Sequence, residues 1–321
     1  MNSRREQNKS LNLLTIADIY TISVFVIYSL LAIIFFSNLA NASELIIKNI
    51  SILALIFILA YLDKKYEKAI FTLLHRTYFI AIILIIYNQI QDYLPFINPE
   101  MYDQTFIKWD KALFGVNPTE WIYKYSHPLL TEYLQIAYFS FYFLPILHAV
   151  ELYAQKKDQS FYIFSGTILF SFYFSYMLYV VMPAIGPRFI IHEFNAMDQE
   201  LPGLWLTTFL RDIINSGGAI PKGAANPEQF VNRDCMPSGH TMVTLITIIL
   251  VYQNNSKFRH LILVLGISLI IATVYLRYHY VVDLIAGILL VYPTLWIESY
   301  IRKLLLKTKK IKTGDEQNRN R

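Results

Sequence analysis

Long apolar runs separated by short polar breaks cover most of the chain. Each run is close to the roughly 20 residues that an α-helix needs to cross the hydrocarbon of a bilayer. The pattern predicts an all-α, polytopic membrane protein with about eight transmembrane helices, of which the second and sixth are short or interrupted by polar residues. The predicted spans are 16–37, 45–62, 77–96, 129–150, 160–182, 238–254, 258–276 and 281–301.

Composition supports this interpretation. Of the 321 residues, 55% are hydrophobic and 16% are charged, and the mean hydropathy is +0.39, which excludes an ordinary water-soluble domain. The net charge of +5 is compatible with nucleic-acid binding, but the basic residues are spread between apolar runs, so we expect no nucleic-acid partner. The single cysteine, Cys235, excludes an internal disulfide and a multi-thiolate metal site.

The basic residues also predict how the chain crosses the membrane. With eight spans, both termini and the loops after spans two, four and six share one side, which carries most of the 28 Lys and Arg residues. Because basic loops stay in the cytoplasm, we expect both termini to be cytoplasmic. Ala40-Asn41-Ala42 resembles a signal-peptidase site, but the apolar run before it is long for a signal peptide, so we expect an uncleaved first helix.

Three polar clusters stand out against the apolar background. They are Gly186-Pro187-Arg188 after span five, Pro237-Ser238-Gly239-His240 before span six, and 277–283 (RYHYVVD) between spans seven and eight. The predicted topology puts all three on the outer face, whether periplasmic, extracellular or lumenal. A shared face favours one functional site over three unrelated features.

His279, Asp283 and His240 are the candidate catalytic residues. If His279 begins the last helix, Asp283 lies one turn further on the same face, so the two side chains can touch. A carboxylate that accepts a hydrogen bond from one imidazole nitrogen fixes the tautomer and leaves the other nitrogen as a nucleophile. His240, from another helix, could protonate a departing alkoxide. The alternative is that both histidines are ordinary headgroup-level residues and that Asp283 only favours a helix start.

Four further residues suit a phosphate. Arg188 and Arg277 offer planar, permanently charged guanidinium groups, and the amides around Ser238 and Gly239 lie at the beginning of a span, where they can donate to an anion. Ser-Gly before a helix is also an ordinary N-cap, and Arg188 can be a topology charge. Together with a nucleophile and an acid, the set favours phosphoryl transfer, with no metal or other cofactor expected.

Other functions fit parts of the pattern. Ser238 could be a lipase nucleophile, but the GxSxG motif that presents such a serine is missing. A transporter could use His and Asp as a proton relay, but such groups belong near mid-bilayer and these motifs lie at span ends. A metal site formed by His240, His279 and Asp283 is chemically feasible, although one i,i+4 pair plus a distant histidine is weak support.

The motif PSGH, followed by HxxxD at the start of a later membrane helix, resembles the type 2 phosphatidic acid phosphatase superfamily. The resemblance covers roughly residues 77–301. It implies that His279 attacks phosphorus to form a phosphohistidine, with Asp283 supporting it and His240 protonating the leaving group. It further implies that Arg188, Ser238 and Gly239 hold the phosphate. The chain would then divide into an N-terminal cytoplasmic segment with two accessory spans (1–76), a six-helix core (77–301) and a basic cytoplasmic tail (302–321).

The chain departs from the superfamily pattern at several positions. Lipid phosphatases of this group usually have a Lys seven positions before the first-motif Arg and a Pro after it, where this chain has Val181 and Phe189. The Ser-Arg pair expected ahead of the last histidine is replaced by Ala272-Thr273, with Arg277 as a candidate substitute for the arginine.

A branch of the superfamily is a better match to some segments. SGHT, HYxxD and the stretch 103–115 (DQTFIKWDKALFG) look more like inositol phosphorylceramide synthases and sphingomyelin synthases, which move a phospho-headgroup between lipids. The resemblance implies membrane lipid substrates, with headgroup transfer favoured. The alternative is hydrolysis of phosphatidic acid or polyprenyl diphosphate.

Two outer segments add further expectations. Residues 97–128 mix aromatic and charged side chains, which predicts an amphipathic helix in the outer interface that either shapes an acceptor pocket or only anchors the domain. The outer loop 189–236 contains Gly217-Gly218 and several prolines, and is either a lid over the site or a poorly ordered connection.

Overall fold

Helices begin and end close to the boundaries that the apolar runs predict. The computed structural model describes residues 13–307, and within this range the regular secondary structure is helical, without β-strands, as predicted. The α-helices are α1 Ile16–Ile34, α2 Ala42–Tyr66, α3 Ala69–Thr77, α4 Phe79–Ile97, α5 Asp103–Phe114, α6 Pro118–Ile122, α7 Pro128–Phe139, α8 Phe143–Ala154, α9 Asp158–Leu178, α10 Pro187–Ile190, α11 Met197–Glu200, α12 Thr207–Gly217, α13 Gly239–Gln253, α14 Arg259–Tyr275 and α15 Val281–Lys307.

Within residues 13–307, six helical segments are long and apolar enough to cross a bilayer. They are Ile16–Ile34, Ala42–Tyr66, Ala69–Ile97, Pro128–Ala154, Asp158–Leu178 and Val281–Lys307. The predicted spans 238–254 and 258–276 correspond to α13 and α14, which are apolar but have only 15 and 17 residues. The chain is therefore a multi-pass membrane protein, while the count of eight crossings stays a prediction. Parts of the predicted N-terminal segment (1–12) and basic tail (308–321) lie outside the described residues.

The chain divides into two compact units. Unit 1 comprises residues 1–96, 151–173 and 293–321, and unit 2 comprises 97–150 and 174–292. Every residue predicted for the functional site lies in unit 2. The predicted domain boundaries at residues 76 and 301 stay predictions.

In unit 1, a histidine is buried between two carboxylates. His75 on α3 places Nε2 3.0 Å from Asp18 Oδ2 and Nδ1 3.0 Å from Asp63 Oδ2. All three side chains are buried, and Thr15 forms a capping box with Asp18 at the start of α1. A buried charge is stabilised only when it is paired, so this cluster joins α1, α2 and α3. Sequence analysis assigned no role to His75.

In unit 2, α14 packs against α7 and α13. Ala272 and Tyr275 of α14 contact Leu134 and Tyr138 of α7 in one apolar cluster, and the Tyr275 hydroxyl is 2.8 Å from Thr131 Oγ1. This packing fixes the end of α14, and the chain leaves that end to reach His279.

The predicted outer loop 189–236 is folded. It contains α11 and α12, and the carboxylate of Glu132 on α7 accepts hydrogen bonds from the backbone amides of Leu204, Leu206 and Thr207 at 2.7–3.2 Å and from the Thr207 hydroxyl at 2.6 Å. A carboxylate with several donors ties the loop to unit 2, so the expectation of a poorly ordered connection is wrong for this part.

The predicted amphipathic segment 97–128 forms α5 and α6. On α5, Trp109, Leu113 and Phe114 are exposed, whereas Asp103 and Asp110 are buried. Several apolar side chains thus point away from the protein, while the two aspartates and Phe106 point into it, and exposed apolar side chains of this kind are expected at a membrane interface.

Candidate active site

The two predicted histidines and the aspartate come together. His240 lies in the first turn of α13, Asp283 lies in the first turn of α15, and His279 lies just before α15. Nδ1 of His279 is 3.4 Å from Asp283 Oδ2, and Nε2 of His279 is 3.1 Å from His240 Nδ1. One imidazole therefore contacts both a carboxylate, as the i,i+4 spacing predicted, and a second imidazole.

A tight turn after α14 presents His279. The backbone amides of Tyr278 and His279 both donate to the carbonyl of Thr273, at 2.8 and 3.1 Å, and Arg277 has a φ of +66°. The last helix begins at Val281, the first residue of the predicted span 281–301, so His279 lies two residues before it. The Asp283 carboxylate accepts a hydrogen bond from the Tyr280 amide at 2.9 Å and so caps a helix that begins at Val281.

Cys235 is a site residue that sequence analysis missed. Its thiol donates to Asp283 Oδ2 at 2.8 Å and lies 3.5 Å from His279 Nδ1. Burial and the nearby Asp283 carboxylate raise the pKa of this thiol, so it stays protonated and remains a donor. Its position, two residues before the PSGH motif, is the one sequence signal that could have indicated its role.

Cys235, His279 and Asp283 also offer one metal-ligand atom each, and these atoms lie within 4.8 Å of one another. Two ligands of a tetrahedral zinc ion, one sulfur and one oxygen, would be about 3.5 Å apart. The observed 2.8 Å between Cys235 Sγ and Asp283 Oδ2 is a hydrogen-bond distance. The group as it stands fits a hydrogen-bonded triad better than a metal centre.

Ser238 and Gly239 begin α13. The Ser238 hydroxyl accepts the Thr241 amide at 3.2 Å, so it caps the helix, and the Ser238 amide donates to the Asp283 carbonyl at 3.1 Å. A Cβ on Gly239 would lie 2.6 Å from Ser175 Oγ, so this position has no room for a larger residue. The hydrogen bond from Ser238 to Asp283 holds the first turn of α13, and with it His240, against α15.

Arg188 is held in an aromatic cage. Its guanidinium lies 4.5 Å from the ring centre of Tyr278 and 4.7 Å from that of Phe189, and it donates to Asn215 Oδ1 at 2.8 Å. The preceding Gly186 has a φ of +95°, and a Cβ there would lie 2.6 Å from the Tyr278 carbonyl oxygen. Only glycine permits this approach, which places the Arg188 turn beside the turn that carries His279.

Arg277 has different partners from the other predicted phosphate-binding residues. Its side chain is buried and paired with Glu200, and it lies over the ring of Tyr123. Its backbone carbonyl accepts the Arg188 amide at 3.1 Å. A role for its guanidinium in phosphate binding stays a prediction, because that charge already has a carboxylate partner.

A polar cavity of about 150 Å³ opens beside Arg188. Its walls include both basic and acidic side chains as well as amides. Among them are Arg188, Tyr278, Arg211, Asp212, Asn215 and Lys222. The Arg188 guanidinium therefore faces a space that can take a polar group larger than a water molecule.

Comparisons with known proteins identify the family of the chain. The family model of the PAP2 superfamily matches residues 104–297. A PA-phosphatase related-family protein of Dictyostelium discoideum is 26% identical over 191 residues, which cover 54% of this chain and 32% of that relative. The chain thus spans about a third of the length of that relative. No solved structure matches this chain. Because the family match covers more than half of the chain and runs from before Arg188 to beyond Asp283, the protein belongs to the PAP2 superfamily.

Proposed function

We propose that the protein is a membrane enzyme that cleaves a lipid phosphate ester through a phosphohistidine intermediate on His279. The observation that carries the proposal is that one imidazole faces Asp283 with Nδ1 and His240 with Nε2, at 3.4 and 3.1 Å. A carboxylate on one side and a proton donor on the other are the two groups that a histidine nucleophile needs. Membership of the PAP2 superfamily supports a reaction on lipid phosphates.

In the first half of the reaction, Asp283 holds the proton of His279 on Nδ1, so Nε2 has a free electron pair. Nε2 attacks phosphorus, the bond between phosphorus and the leaving oxygen breaks, and protonated His240 gives its proton to that oxygen. The products are the free lipid alcohol and a phosphorylated His279. The Asp283 carboxylate stabilises the positive charge that develops on the imidazole.

In the second half, neutral His240 takes a proton from the acceptor hydroxyl, which belongs to water or to a second lipid. The acceptor oxygen attacks phosphorus and the bond from phosphorus to Nε2 breaks. His279 returns to its starting tautomer and His240 returns to its protonated form. The same pair of rings therefore serves both steps, with His240 as acid and then as base.

Positive groups around His279 suit the phosphoryl oxygens. Arg188 supplies a permanently charged guanidinium in an aromatic cage. The amides of Gly239 and His240 lie in the first turn of α13, where an α-helix has no internal partners for its N–H groups. Ser238 contributes by capping this helix and fixing the direction of those amides.

The direct contact between the two rings has a mechanistic consequence. With Nε2 of His279 only 3.1 Å from His240, a phosphoryl group between the rings must first separate them. His240 also packs against the rings of Phe141 and Tyr138, with ring centres 4.4 and 4.9 Å away, so separating the two histidines must disturb these contacts as well. We therefore expect the productive geometry to form only when substrate is bound.

Between transfer and hydrolysis, we favour transfer of a phospho-headgroup, as in inositol phosphorylceramide synthases. The support is the polar cavity beside Arg188, whose lining includes Tyr278, the neighbour of His279, but neither catalytic histidine. We propose that it holds the part of a headgroup that lies beyond the phosphate. The departures from the lipid phosphatase pattern at Val181 and Phe189 point the same way. Hydrolysis of phosphatidic acid or polyprenyl diphosphate is the alternative.

The side of the membrane belongs to the same proposal. Most of the Lys and Arg residues fall at the termini and in loops that share a predicted side with them. The positive-inside rule then puts both termini in the cytoplasm and the site on the outer face.

The proposal is tested by giving the purified protein phosphatidic acid and phosphatidylinositol labelled at phosphorus, with unlabelled ceramide as acceptor. Label on ceramide supports transfer, whereas label in free phosphate from phosphatidic acid or in inositol phosphate from phosphatidylinositol supports hydrolysis. Vanadate should inhibit either reaction, and chelators should not. Turnover should disappear in His279→Ala and persist in Glu228→Gln, a charge-removing change at an exposed residue of the same unit. Unchanged turnover in His279→Ala would rule out the mechanism.

A further inference from the structure

The start of α15 is capped by a residue from a distant helix. Asp110 of α5 accepts hydrogen bonds from the Val281 and Val282 amides, one on each carboxylate oxygen, both at 2.9 Å. These are first-turn amides, which have no partner within the helix. The same turn carries Asp283, so Asp110 fixes the orientation of the turn that supports His279.

Asp103, two helical turns earlier on the same face of α5, joins two of the site's turns. Its Oδ1 accepts both the Gly186 amide and the Tyr280 hydroxyl at 2.9 Å, and its Oδ2 accepts the Ile185 amide at 3.2 Å. Gly186 lies two residues before Arg188, and Tyr280 follows His279 directly. A single carboxylate oxygen therefore links the proposed phosphate-binding turn to the nucleophile's turn.

Both carboxylates are almost completely buried, with 3% of Asp103 and 2% of Asp110 exposed. Burying a charged carboxylate costs several kcal/mol unless hydrogen bonds compensate. Here the compensation comes from four backbone amides and one hydroxyl, and all but the Ile185 amide belong to residues within two positions of Arg188, His279 or Asp283. A carboxylate that served only to keep α5 in place would not need these particular donors.

We propose that Asp103 and Asp110 are positioning residues of the active site, which keep Arg188, His279 and Asp283 in register. The inference rests on the proposed function, because it assigns the two residues to that reaction. The inference also predicts a different kinetic effect for the loss of each aspartate. Among the described residues, Asp110 accepts hydrogen bonds from the start of α15 alone, so its loss should affect the chemical step. Asp103 also holds the Arg188 turn, so its loss should weaken substrate binding too.

The test uses Asp110→Asn, Asp103→Asn and Tyr280→Phe, with Gln104→Ala and Lys111→Ala as controls at exposed positions of α5. Asparagine keeps the shape of the aspartate side chain but replaces one acceptor oxygen with an NH2 group. This group is itself a donor, so it cannot accept a hydrogen bond from a backbone amide. We expect kcat to fall about tenfold or more in Asp110→Asn with KM within twofold, because small displacements of reacting groups are costly. Asp103→Asn should lower kcat and raise KM, and the controls should match wild type.

Rates are expressed per folded molecule, measured by gel filtration and thermal unfolding in detergent. Tyr280→Phe removes one hydrogen bond from Asp103 and leaves its two amide contacts, so it decides the question if the asparagine variants fold poorly. We expect kcat to fall several-fold in this variant. Wild-type kcat per folded molecule in Tyr280→Phe would overturn the role of Asp103, and wild-type kcat in Asp110→Asn would overturn the role of Asp110.

Hydrogen exchange separates this inference from the proposed function. In Asp110→Asn the Val281 and Val282 amides should exchange faster than in Lys111→Ala, whatever reaction the protein catalyses. If wild type shows no His279-dependent turnover, the proposed function fails, and the inference fails with it. If turnover depends on His279 while exchange and kcat are unchanged in Asp110→Asn, only the inference fails.

Discussion

The change Asp283→Asn separates the proposed role of the carboxylate from its structural role. Asparagine keeps the size of the side chain and one oxygen, which can still accept the Tyr280 amide at the start of α15. It removes the negative charge that faces Nδ1 of His279. When Nε2 bonds to phosphorus, the imidazole becomes positive, and this charge loses its counterion in the variant.

The expected size of the effect follows from the observed distance. Two unit charges 3.4 Å apart, the separation of His279 Nδ1 and Asp283 Oδ2, interact by about 5 kcal/mol at an effective dielectric constant of about 20. Because about 1.4 kcal/mol corresponds to a tenfold change in rate, kcat should fall between about 10³-fold and 10⁴-fold. KM should change little, since Asp283 has no proposed contact with substrate.

The assay is the initial rate in detergent at saturating lipid, with the folded fraction measured by gel filtration. Glu228→Gln, which also removes one negative charge, is the matched control and should keep wild-type kcat. If Asp283→Asn keeps more than a tenth of wild-type kcat while His279→Ala is inactive, the carboxylate does not stabilise the intermediate and the reasoning is refuted.

Three further changes test other parts of the structure. Cys235→Ala removes the thiol donor to Asp283 and should lower kcat about tenfold, whereas Cys235→Ser keeps a donor and should stay within threefold; equal activity in both would contradict this. His75→Ala leaves Asp18 and Asp63 buried without their shared partner, so the free energy of unfolding should fall by about 3 kcal/mol or more, and an unchanged Tm would contradict this. Burial and the charge of Arg277 lower the pKa of His192 to about 4, so the unfolded chain takes up a proton near pH 6.5 while the folded protein does not. Stability should therefore fall as pH drops from about 6.5 to about 4, and His192→Gln should flatten this dependence in thermal unfolding; equal slopes would contradict the assignment.

The local sequence pattern was sufficient to predict the contacts at the centre of the candidate site. The i,i+4 spacing of His279 and Asp283 put both side chains on one side of the chain, and the predicted topology put His240 on the same face of the membrane. Both contacts are present. Helix positions were likewise predictable, because apolar runs of membrane length have few alternatives to a helix.

The parts that sequence analysis missed depend on contacts between distant segments. Cys235 meets Asp283 across 48 residues and Asp110 meets Val281 across 171 residues, so no local pattern indicates either pair. The pairing of Arg277 with Glu200 is of the same kind. The helix begins at Val281 and not at His279 because Asp283 and Asp110 together satisfy the first amides at that point.

The capping of α15 by α5 has a consequence for biosynthesis. During translation, α5 leaves the ribosome long before the amides of Val281 and Val282 have been synthesised, since 171 residues separate the two partners. Until then Asp110 has only water or lipid headgroups as partners, and α5 cannot close onto unit 2 without burying an uncompensated charge. We therefore expect α5 to reach its native packing only after α15 has been synthesised, and a chain truncated before residue 281 to lack this packing.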